Sequence, residues 1–329
     1  MESTKTRILK KLLETDGYLS GQDLCEQLGV SRTAVWKYMK QLKEEGYEIE
    51  AVQNKGYCLK DVPDVLGESE IKSRLHTRWA GQTLYYYDEI DSTNTQIKRL
   101  AEEDAPHGTL AVADYQSKGK GRRGHAWDSP HGSAIYMSIL FRPDIRPDRA
   151  SMLTLVIGLS VAQAIRSNLG VQAQIKWPND IVLNGKKLVG ILTEMSAQMN
   201  YIEYLVTGIG INANLREFPE ELADKATSLQ KEIGHKVNRS ALIAECMKKI
   251  EENYETFVKT QDLSGMMEAY QKVLVNQDQQ VRVLEPGHEY TGIARGINAM
   301  GELLVEREDG TITEVYAGEV SVRGLYGYV

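Results

Sequence analysis

The sequence of 329 residues is poor in cysteine and has no excess of positive charge. Its three cysteines, Cys25, Cys58 and Cys246, are an odd number without the spacing of a metal or redox motif. This excludes a disulfide-stapled scaffold and is typical of a reducing compartment. Because the formal net charge is −7, any affinity for nucleic acid has to come from a local basic patch.

Long hydrophobic segments are missing as well. The longest apolar stretch, residues 151–165, is interrupted by Ser, Thr, Gly and Gln and is shorter than a bilayer span. Residues 1–19 lack the apolar segment and the cleavage site of a secretory signal. We therefore expect a cytoplasmic globular protein without a membrane span. Its length is enough for two or three domains, and its 42% hydrophobic content supports a buried core.

Three short helices are predicted near the amino terminus. Apolar residues at positions 8, 9, 12 and 13 recur with helical spacing, and a turn at residues 15–17 follows them. Ser20 is suited to cap a second helix that ends at Gly29, and Ser31 is suited to cap a third. The third helix is basic on its outer face, since residues 32–43 contain four cations and no acid.

Two short helices joined by a tight turn, the second of them basic, are typical of a helix-turn-helix that binds the DNA major groove. Residues 47–52 and 56–59 follow as two strands, which predict the hairpin of a winged helix. The alternative is a three-helix interaction module with a solvated basic face. If this domain binds DNA, we expect the lysines to contact phosphates and Thr33 and Trp36 to contact bases or sugars. The candidate DNA-binding residues are Arg32, Thr33, Trp36, Lys37, Lys40, Lys43 and Lys55.

The chain is predicted to be a multi-domain α+β protein. A Pro/Gly-containing link at residues 61–67 indicates a domain boundary. We expect a winged helix-turn-helix domain at residues 1–62, a central mixed α/β domain at 68–275 and a carboxy-terminal β-barrel domain at 276–329. The barrel is predicted from short strands separated by turns at 285–287, 299–301 and 309–310.

A glycine-rich basic loop follows a predicted buried strand at residues 109–114. Gly119, Gly121 and Gly124 fit the letters G-x-G-x-x-G, but a dinucleotide fingerprint must open a helix, and this loop runs into another strand at 134–141. The loop carries four cations, which are Lys118, Lys120, Arg122 and Arg123. Backbone N–H groups and cations together suit a phosphate or a polyphosphate leaving group, and an ordinary solvated loop is the alternative.

Two further segments carry polar residues at structured positions. Asn184-Gly185, which follows Lys176-Trp-Pro-Asn-Asp180, separates two apolar runs and predicts a β-hairpin. Lys187 then shares a strand face with apolar residues, so it lies either at a sheet edge or in a pocket, and both remain open. Earlier in the chain, Ser92 or Thr93 precedes a helix, and taken alone Thr93 and Gln96 are best interpreted as a capping box.

Together these clusters resemble the biotin–protein ligase family. The match consists, in chain order, of Ser92-Thr93-Asn94, Gln116, residues 119–124, Lys176-Trp-Pro-Asn-Asp180, Lys187 and Gly208-Ile-Gly-Ile-Asn212. Each motif is short, but their joint order and spacing are highly specific. With its winged helix, the chain is similar over nearly its whole length to the bifunctional subgroup, in which the ligase is also the biotin operon repressor.

The resemblance implies a two-step acyl transfer. Biotin attacks the α-phosphate of ATP to give biotinyl-5′-AMP and pyrophosphate, and a lysine of a carrier domain then attacks the mixed anhydride and releases AMP. The implied substrates are biotin and ATP with its Mg²⁺, and no metal motif is expected because Mg²⁺ prefers phosphate oxygens. The implied partners are a biotin carboxyl carrier domain of acetyl-CoA carboxylase or another biotin enzyme, operator DNA, and a second copy of the chain when the adenylate, the corepressor, is bound.

The resemblance also assigns site residues. For biotin they are Ser92, Thr93, Asn94, Gln116, Lys120, Gly121, Arg122 and Lys187. For the nucleotide they are Arg123, Trp127, Asn179, Asn212 and Arg323. The implied catalytic residues are Lys120, Arg122, Arg123 and Lys187, and cations suit this role because a carboxylate must approach a polyanion. The family's SH3-like carboxy-terminal domain would let Arg323 reach ATP or the carrier, although packing is the better interpretation of this residue.

The basic loop departs from the usual family form G-R-G-R-R-G-R at two positions, where Lys120 and His125 replace arginines. Lysine keeps the charge but loses the bidentate fork, and histidine can be neutral at pH 7. We therefore expect loop closure and adenylate retention to be tuned differently in this chain.

Two other functions are consistent with parts of the sequence. A non-enzymatic regulator would use the central domain only to sense a small carboxylic acid, and a lipoate ligase would share the overall fold. The loop at residues 119–124 and the Lys-Trp-Pro-Asn-Asp motif favour biotin.

Overall fold

The computed structural model describes residues 3–198, 201–285, 288–316 and 321–324. The chain divides into two compact units. The first consists of Met1–His76 and Val237–Ala244, and the second of Thr77–Lys236 and Glu245–Val329.

The first unit begins with three helices capped by serines. They are α1 (Thr4–Glu14), α2 (Gly21–Leu28) and α3 (Arg32–Glu44). Ser20 Oγ accepts hydrogen bonds from the backbone N–H groups at positions 22 and 23, and Ser31 Oγ accepts one from position 34. Gly29 ends α2 in the left-handed conformation. The predicted caps are confirmed, since each serine satisfies N–H groups that the first helical turn leaves unpaired.

A β-hairpin completes the winged helix-turn-helix. Strands β1 (Glu48–Val52) and β2 (Gly56–Asp61) pair antiparallel, and a short helix, α4 (Glu68–Lys72), follows. Leu19 and Tyr57 exchange two backbone hydrogen bonds, so the segment before α2 is joined to the hairpin. The core is formed by the apolar faces of the helices and includes Ile8, Leu9, Leu12, Leu24, Val35, Met39 and Leu42.

The second unit contains a seven-stranded mixed sheet. Its strands are β3 (Leu84–Ile90), β4 (Leu110–Gln116), β5 (Ile135–Phe141), β6 (Gln174–Lys176), β7 (Asp180–Leu183), β8 (Lys186–Gln198) and β9 (Tyr201–Ile211). The order is β3-β4-β5-β9-β8-β7-β6, with β3 and β4 parallel and the other neighbours antiparallel. Asn184 and Gly185 both have positive φ and form the predicted β7–β8 turn.

The helices α5 (Thr93–Glu102) and α6 (Met152–Leu169) pack against this sheet. The unit also contains α7 (Leu229–Ile233), the part of α8 (Arg239–Thr260) from Glu245 onward, and α9 (Met267–Gln271). Within the described ranges, Pro147–Leu169 is the one helical segment with the length and hydropathy of a membrane span, and 72% of that window is buried inside the protein. A helix that is apolar on all sides is also what the centre of a large core requires, and this burial accounts for its composition.

The carboxy-terminal strands form a second, antiparallel sheet. They are β10 (Gln280–Glu285), β11 (His288–Ile297), β12 (Leu303–Glu306), β13 (Ile312–Val315) and β14 (Ser321–Gly324). Their order is β13-β12-β11-β10-β14. The all-β architecture expected here is confirmed, and alternate residues of β10 and β12, such as Val281, Val283 and Val305, are fully buried.

Candidate functional site

A pocket lies at the start of α5. Its walls come from α5, the end of β4, the basic loop and strands β8 and β9. The predicted site residues that line it are Ser92, Thr93, Asn94, Gln116, Lys120, Arg122, Trp127, Asn179 and Lys187. The fold thus brings most of the predicted site residues into one cavity.

The floor of the pocket is a chain of hydrogen-bonded polar side chains. The backbone N and Oγ1 of Thr93 donate to Gln116 Oε1 at 2.9 and 3.1 Å, and Gln116 Nε2 donates to Ser129 Oγ at 3.0 Å. Ser92 makes no capping hydrogen bond to α5. The capping-box interpretation is therefore wrong, because the Thr93 hydroxyl bonds to Gln116 on the neighbouring strand instead of to its own helix.

Asn94 is held in place on three sides. Its Nδ2 donates to Glu194 Oε2 at 2.8 Å, and its Oδ1 accepts a hydrogen bond from Ser138 Oγ at 2.6 Å. A Cβ atom at Gly208 would lie only 2.2 Å from Asn94 Oδ1. Any larger residue at position 208 would displace the amide, so this glycine is required by close approach.

The indole of Trp127 lies over a pair of glycines in the sheet. Gly190 and Gly210 are register partners on β8 and β9, and a Cβ on either would come within 2.6 Å of the indole. The indole Nε1 is buried and has no hydrogen-bond partner. The remaining cavity is about 50 Å³. A second cavity of about 280 Å³ shares Arg122, Asn179, Ile191 and Leu192 with this one. Since drug-sized ligands occupy roughly 300–1,000 Å³ pockets, such a ligand would extend into the second cavity or displace the indole.

The cations of the pocket are held by neighbouring acceptors. Lys187 Nζ lies 2.7 Å from Asp180 Oδ1, and Arg122 Nη1 donates to Asn179 Oδ1 at 2.7 Å. Burial lowers the pKa of Arg122, while the nearby Asp180 carboxylate opposes this effect. Two charged side chains are thus positioned beside the polar floor, where an anionic group would meet them.

Lys187 does not lie at an open sheet edge. Its backbone N–H donates to Lys225 O at 2.7 Å, and its carbonyl accepts the N–H of Thr227 at 2.9 Å. A segment outside the named strands therefore covers this side of β8. Of the two interpretations that the sequence leaves open, the structure favours the cation in a pocket.

The Lys-Trp-Pro-Asn-Asp motif is fixed by its tryptophan. Trp177 is 1% exposed, its indole N–H donates to Gly301 O at 3.0 Å, and its backbone N–H donates to Asn276 Oδ1 at 2.9 Å. These bonds anchor the turn on which Asn179 and Asp180 stand. The motif is therefore a rigid support for the acceptors that hold the two cations.

Other predicted residues lie apart from the pocket lining. Gly121 donates its N–H to His125 O within the loop, and Arg123 is exposed with a left-handed φ of 56°. Asn212 is 8% exposed and donates to Thr227 O at 3.1 Å. The backbone of Arg323 lies in β14, but its side chain is outside the described residues. Across the described ranges, no group of three His, Cys, Asp or Glu side chains is arranged to hold a metal ion.

The predicted DNA-binding residues form an exposed surface on the first unit. Thr33, Trp36, Lys37 and Lys40 follow one face of α3, and the Trp36 side chain is 61% exposed. Arg32, Lys43 and the hairpin residue Lys55 are exposed as well. An exposed tryptophan among cations on the second helix of the motif is suited to a nucleic-acid surface.

Models of three known domains match this chain. The HTH domain matches residues 4–58, the Biotin/lipoate A/B protein ligase family matches 86–212, and the Biotin protein ligase C terminal domain matches 278–323. The bifunctional ligase/repressor BirA of Bacillus subtilis (strain 168) is 40% identical over 98% of this chain and 100% of its own length. The chain belongs to the BirA family of bifunctional ligase/repressors. The BirA of Escherichia coli (strain K12) is 32% identical over 95% of both chains.

Solved structures support the BirA-family assignment of the second unit. The biotin protein ligase from Aquifex aeolicus, in complex with biotin and ATP, is 34% identical with a TM-score of 0.65. The match covers 74% of this chain and 99% of that one. The α/β sheet and the carboxy-terminal sheet thus have the fold of a biotin protein ligase.

Sequence reasoning missed several residues of this BirA-family site. Asp180, Ser138 and Glu194 were not assigned, yet each bonds to a side chain that lines the pocket. Gly190 was not singled out either. The sequence does carry a signal for Asp180, because this residue ends the Lys-Trp-Pro-Asn-Asp motif. Ser138 and Glu194 lie within strands, and no sequence motif marks them.

Proposed function

We propose that this protein is an ATP-dependent ligase that forms biotinyl-5′-AMP and transfers biotin to a lysine of a biotin carboxyl carrier protein. We further propose that it represses biotin biosynthesis or transport genes, with biotinyl-5′-AMP as corepressor. The observation that carries the ligase is a single pocket in which a polar floor adjoins two partly buried cations, Arg122 and Lys187. Membership of the BirA family supports both activities.

The first half-reaction needs the cations. A carboxylate oxygen of biotin bonds to the α-phosphorus of ATP, and the bond from that phosphorus to the bridging oxygen breaks to release pyrophosphate. Both reactants are anions, so Arg122 and Lys187 lower their repulsion and stabilise the charge that develops on the phosphate oxygens. Lys120 and Arg123 are proposed to assist from the loop. Mg²⁺ enters as part of the ATP substrate.

The second half-reaction needs access for a lysine. The ε-amine of the carrier lysine bonds to the biotinyl carbonyl, the bond to the phosphate oxygen breaks, and AMP leaves as the amine loses a proton. The site contributes mainly by placing the mixed anhydride and excluding water from it.

The individual assignments are those that the family resemblance implies, and the pocket lining supports part of them. We propose that Ser92, Thr93, Asn94 and Gln116 bind the biotin head, that Gly121 contributes backbone, and that Lys187 exchanges Asp180 for the biotin carboxylate. For the nucleotide we propose Arg123, Trp127, Asn179, Asn212 and Arg323.

Pyrophosphate exchange tests the ligase directly. Radiolabelled pyrophosphate should enter ATP only when biotin is present, and lipoate should neither replace biotin nor compete with it. A non-enzymatic sensor would give no exchange with any acid. A lipoate ligase would exchange with lipoate, so that the three candidate functions give three different results.

The DNA-binding surface is proposed to read an operator with two-fold symmetry as a homodimer that assembles when the adenylate is bound. A ligand that favours the dimer must strengthen DNA binding by the same coupling free energy.

We propose that the chain divides into domains at residues 1–62, 68–275 and 276–329. Removing residues 1–62 should abolish operator binding while pyrophosphate exchange persists, and loss of both would contradict separable domains.

Dimerisation and location have their own tests. Sedimentation of the full chain should show a dimer with biotin and ATP together and a lighter species with either alone. ATP and operator DNA are both available in the cytoplasm, where we propose that the protein acts, and fractionation of cells should recover it there.

A further inference from the structure

We infer that the ion pair between Glu194 and Lys98 is a positioning device that fixes the orientation of the Asn94 amide and so selects the acid that the pocket accepts. This inference rests on the proposed function. Neither side chain belongs to the pocket lining, and both lie directly behind it.

The Asn94 amide has two chemically different ends, and its neighbours distinguish them. Nδ2 donates to Glu194 Oε2 at 2.8 Å, and Oδ1 accepts from Ser138 Oγ at 2.6 Å. If the amide were reversed, its oxygen would face the carboxylate, which can only accept a hydrogen bond when ionised. The carboxylate of Glu194 at 2.8 Å, together with the more distant carbonyl of Leu192 at 3.4 Å, therefore decides which end of the buried amide points in which direction.

Lys98 holds the carboxylate in this role. Its Nζ lies 2.6 Å from Glu194 Oε1, the oxygen that Asn94 does not use. Asn94 and Lys98 are four residues apart on α5, so both reach the same carboxylate of β8 from one helix face. Burial alone would raise the pKa of Glu194, but the bonds from Lys98 and Asn94 lower it below the ordinary value. The group is thus ionised at neutral pH.

The orientation of Asn94 is passed along the floor. Ser138 Oγ lies 2.6 Å from Asn94 Oδ1 and 2.7 Å from Thr93 Oγ1. Because a carbonyl oxygen only accepts, Asn94 Oδ1 competes with Thr93 Oγ1 for the single Ser138 proton, and the orientation of Asn94 decides whether that proton has a carbonyl acceptor. Next to this hydroxyl, the Thr93 N–H and Oγ1 both donate to Gln116 Oε1. A charge behind the pocket therefore fixes the donor and acceptor pattern at the Asn94 end of the floor, through Asn94 and Ser138.

This pattern matters for a ligand with a urea-like head. The biotin head carries one carbonyl acceptor and two N–H donors, whereas the head of lipoate carries neither. A polar site rejects a mismatched donor or acceptor strongly, because the buried group is left unpaired. Glu194 is therefore a specificity-determining residue for biotin that acts through Asn94 and not by contact with the ligand.

The test uses the full chain and measures KM for biotin and for ATP in pyrophosphate exchange. In Glu194→Gln the new amide faces two donors, Asn94 and Lys98, and can satisfy only one of them. We expect KM for biotin to rise about 10-fold, with KM for ATP nearly unchanged. Adding Lys98→Met removes the competing donor, so the double variant should recover most of the loss.

Matched controls separate positioning from folding. Glu252→Gln breaks a similar pair, in which Lys249 lies 2.7 Å from Glu252 on α8, and should leave both KM values unchanged. If Glu194→Gln does not fold, two double variants test the same role of the acceptor at position 194. They are Lys98→Met/Glu194→Leu and Lys98→Met/Glu194→Gln. The leucine variant, which offers no acceptor, should have the higher KM for biotin.

The outcomes are distinguishable. An unchanged KM for biotin in Glu194→Gln, or no recovery in the double variant, would overturn this inference while leaving the ligase intact. A parallel rise in both KM values would indicate general disruption and would also overturn it. Absence of biotin-dependent exchange in the unaltered protein would instead refute the proposed function, and the inference with it.

Discussion

A methyl group at Gly210 should close the pocket. In Gly210→Ala the new Cβ would lie 2.6 Å from Trp127 Cε2 and 2.7 Å from Nε1. Non-bonded carbon atoms prefer about 3.5–4.0 Å, so the indole or the strand has to move by about 1 Å. Gly190, the register partner, supports the other edge of the indole and leaves it little room to slide.

The magnitude follows from the cost of overpacking, which is about 1–3 kcal/mol. At about 1.4 kcal/mol per factor of ten, any ligand that occupies the pocket beside the indole should bind roughly 5- to 150-fold more weakly. KM for biotin and ATP in pyrophosphate exchange measures this loss. Tryptophan emission, referenced to Trp127→Phe, measures the displacement of the indole.

Gly158→Ala is the matched control. A Cβ there would lie 3.8 Å from Ile191 Cδ1, an ordinary contact, and the residue is inside α6, where alanine is favoured by up to about 1 kcal/mol. We expect normal exchange and equal or higher thermal stability. Unchanged KM values and unchanged Trp127 emission in Gly210→Ala would refute the close fit between the indole and the glycines.

Three further changes have defined outcomes. Glu251 accepts hydrogen bonds from the backbone N–H groups of residues 78–80, and these bonds outweigh burial and lower the pKa of Glu251. The stabilisation from Glu251 is therefore present above its unfolded pKa and is lost as pH falls through its folded pKa. Glu251→Gln should lower the free energy of unfolding by about 1–3 kcal/mol at neutral pH in denaturant titrations, and should make that free energy depend less on pH in the acid range. Burial, with Arg142 nearby, lowers the pKa of His107 from 6.5 to about 4, so the unfolded chain gains a proton first and thermal stability should fall between pH 6.5 and 4; His107→Phe should remove that slope, and an unaltered slope would exclude His107 as its source. Lys37→Gln should weaken binding to all DNA sequences alike and reduce the slope of log K against log salt by about 1 in a fluorescence titration, whereas an unchanged slope would show that Lys37 makes no phosphate contact.

The features that sequence could predict are those set by local chemistry. Ser20, Ser31 and Gly29 mark helix ends because capping involves residues two or three positions apart. Asn184-Gly185 marks a hairpin for the same reason, since both residues have to adopt positive φ. The winged helix and the β7–β8 hairpin were therefore predictable from pattern alone.

The site depended on pairings that a local pattern does not contain. Glu194 bonds to Asn94 across 100 residues, and Ser138 bonds to the same side chain across 44. Thr93 shows the opposite error, because a capping box was a sound local interpretation but its hydroxyl bonds to Gln116 on a neighbouring strand. The motif positions came from the family resemblance, and the supports behind them became visible only once the strand order was known.

The central claim is that one chain makes the ligand that controls its own affinity for DNA. The most direct test is to titrate the full chain against operator DNA under four conditions: without ligand, with biotin, with ATP, and with both. The variant Lys187→Met is titrated under the same four conditions. We predict that affinity rises only with both ligands and only in the unaltered protein. Equal affinity under all four conditions, or an equal rise in Lys187→Met, would contradict the account.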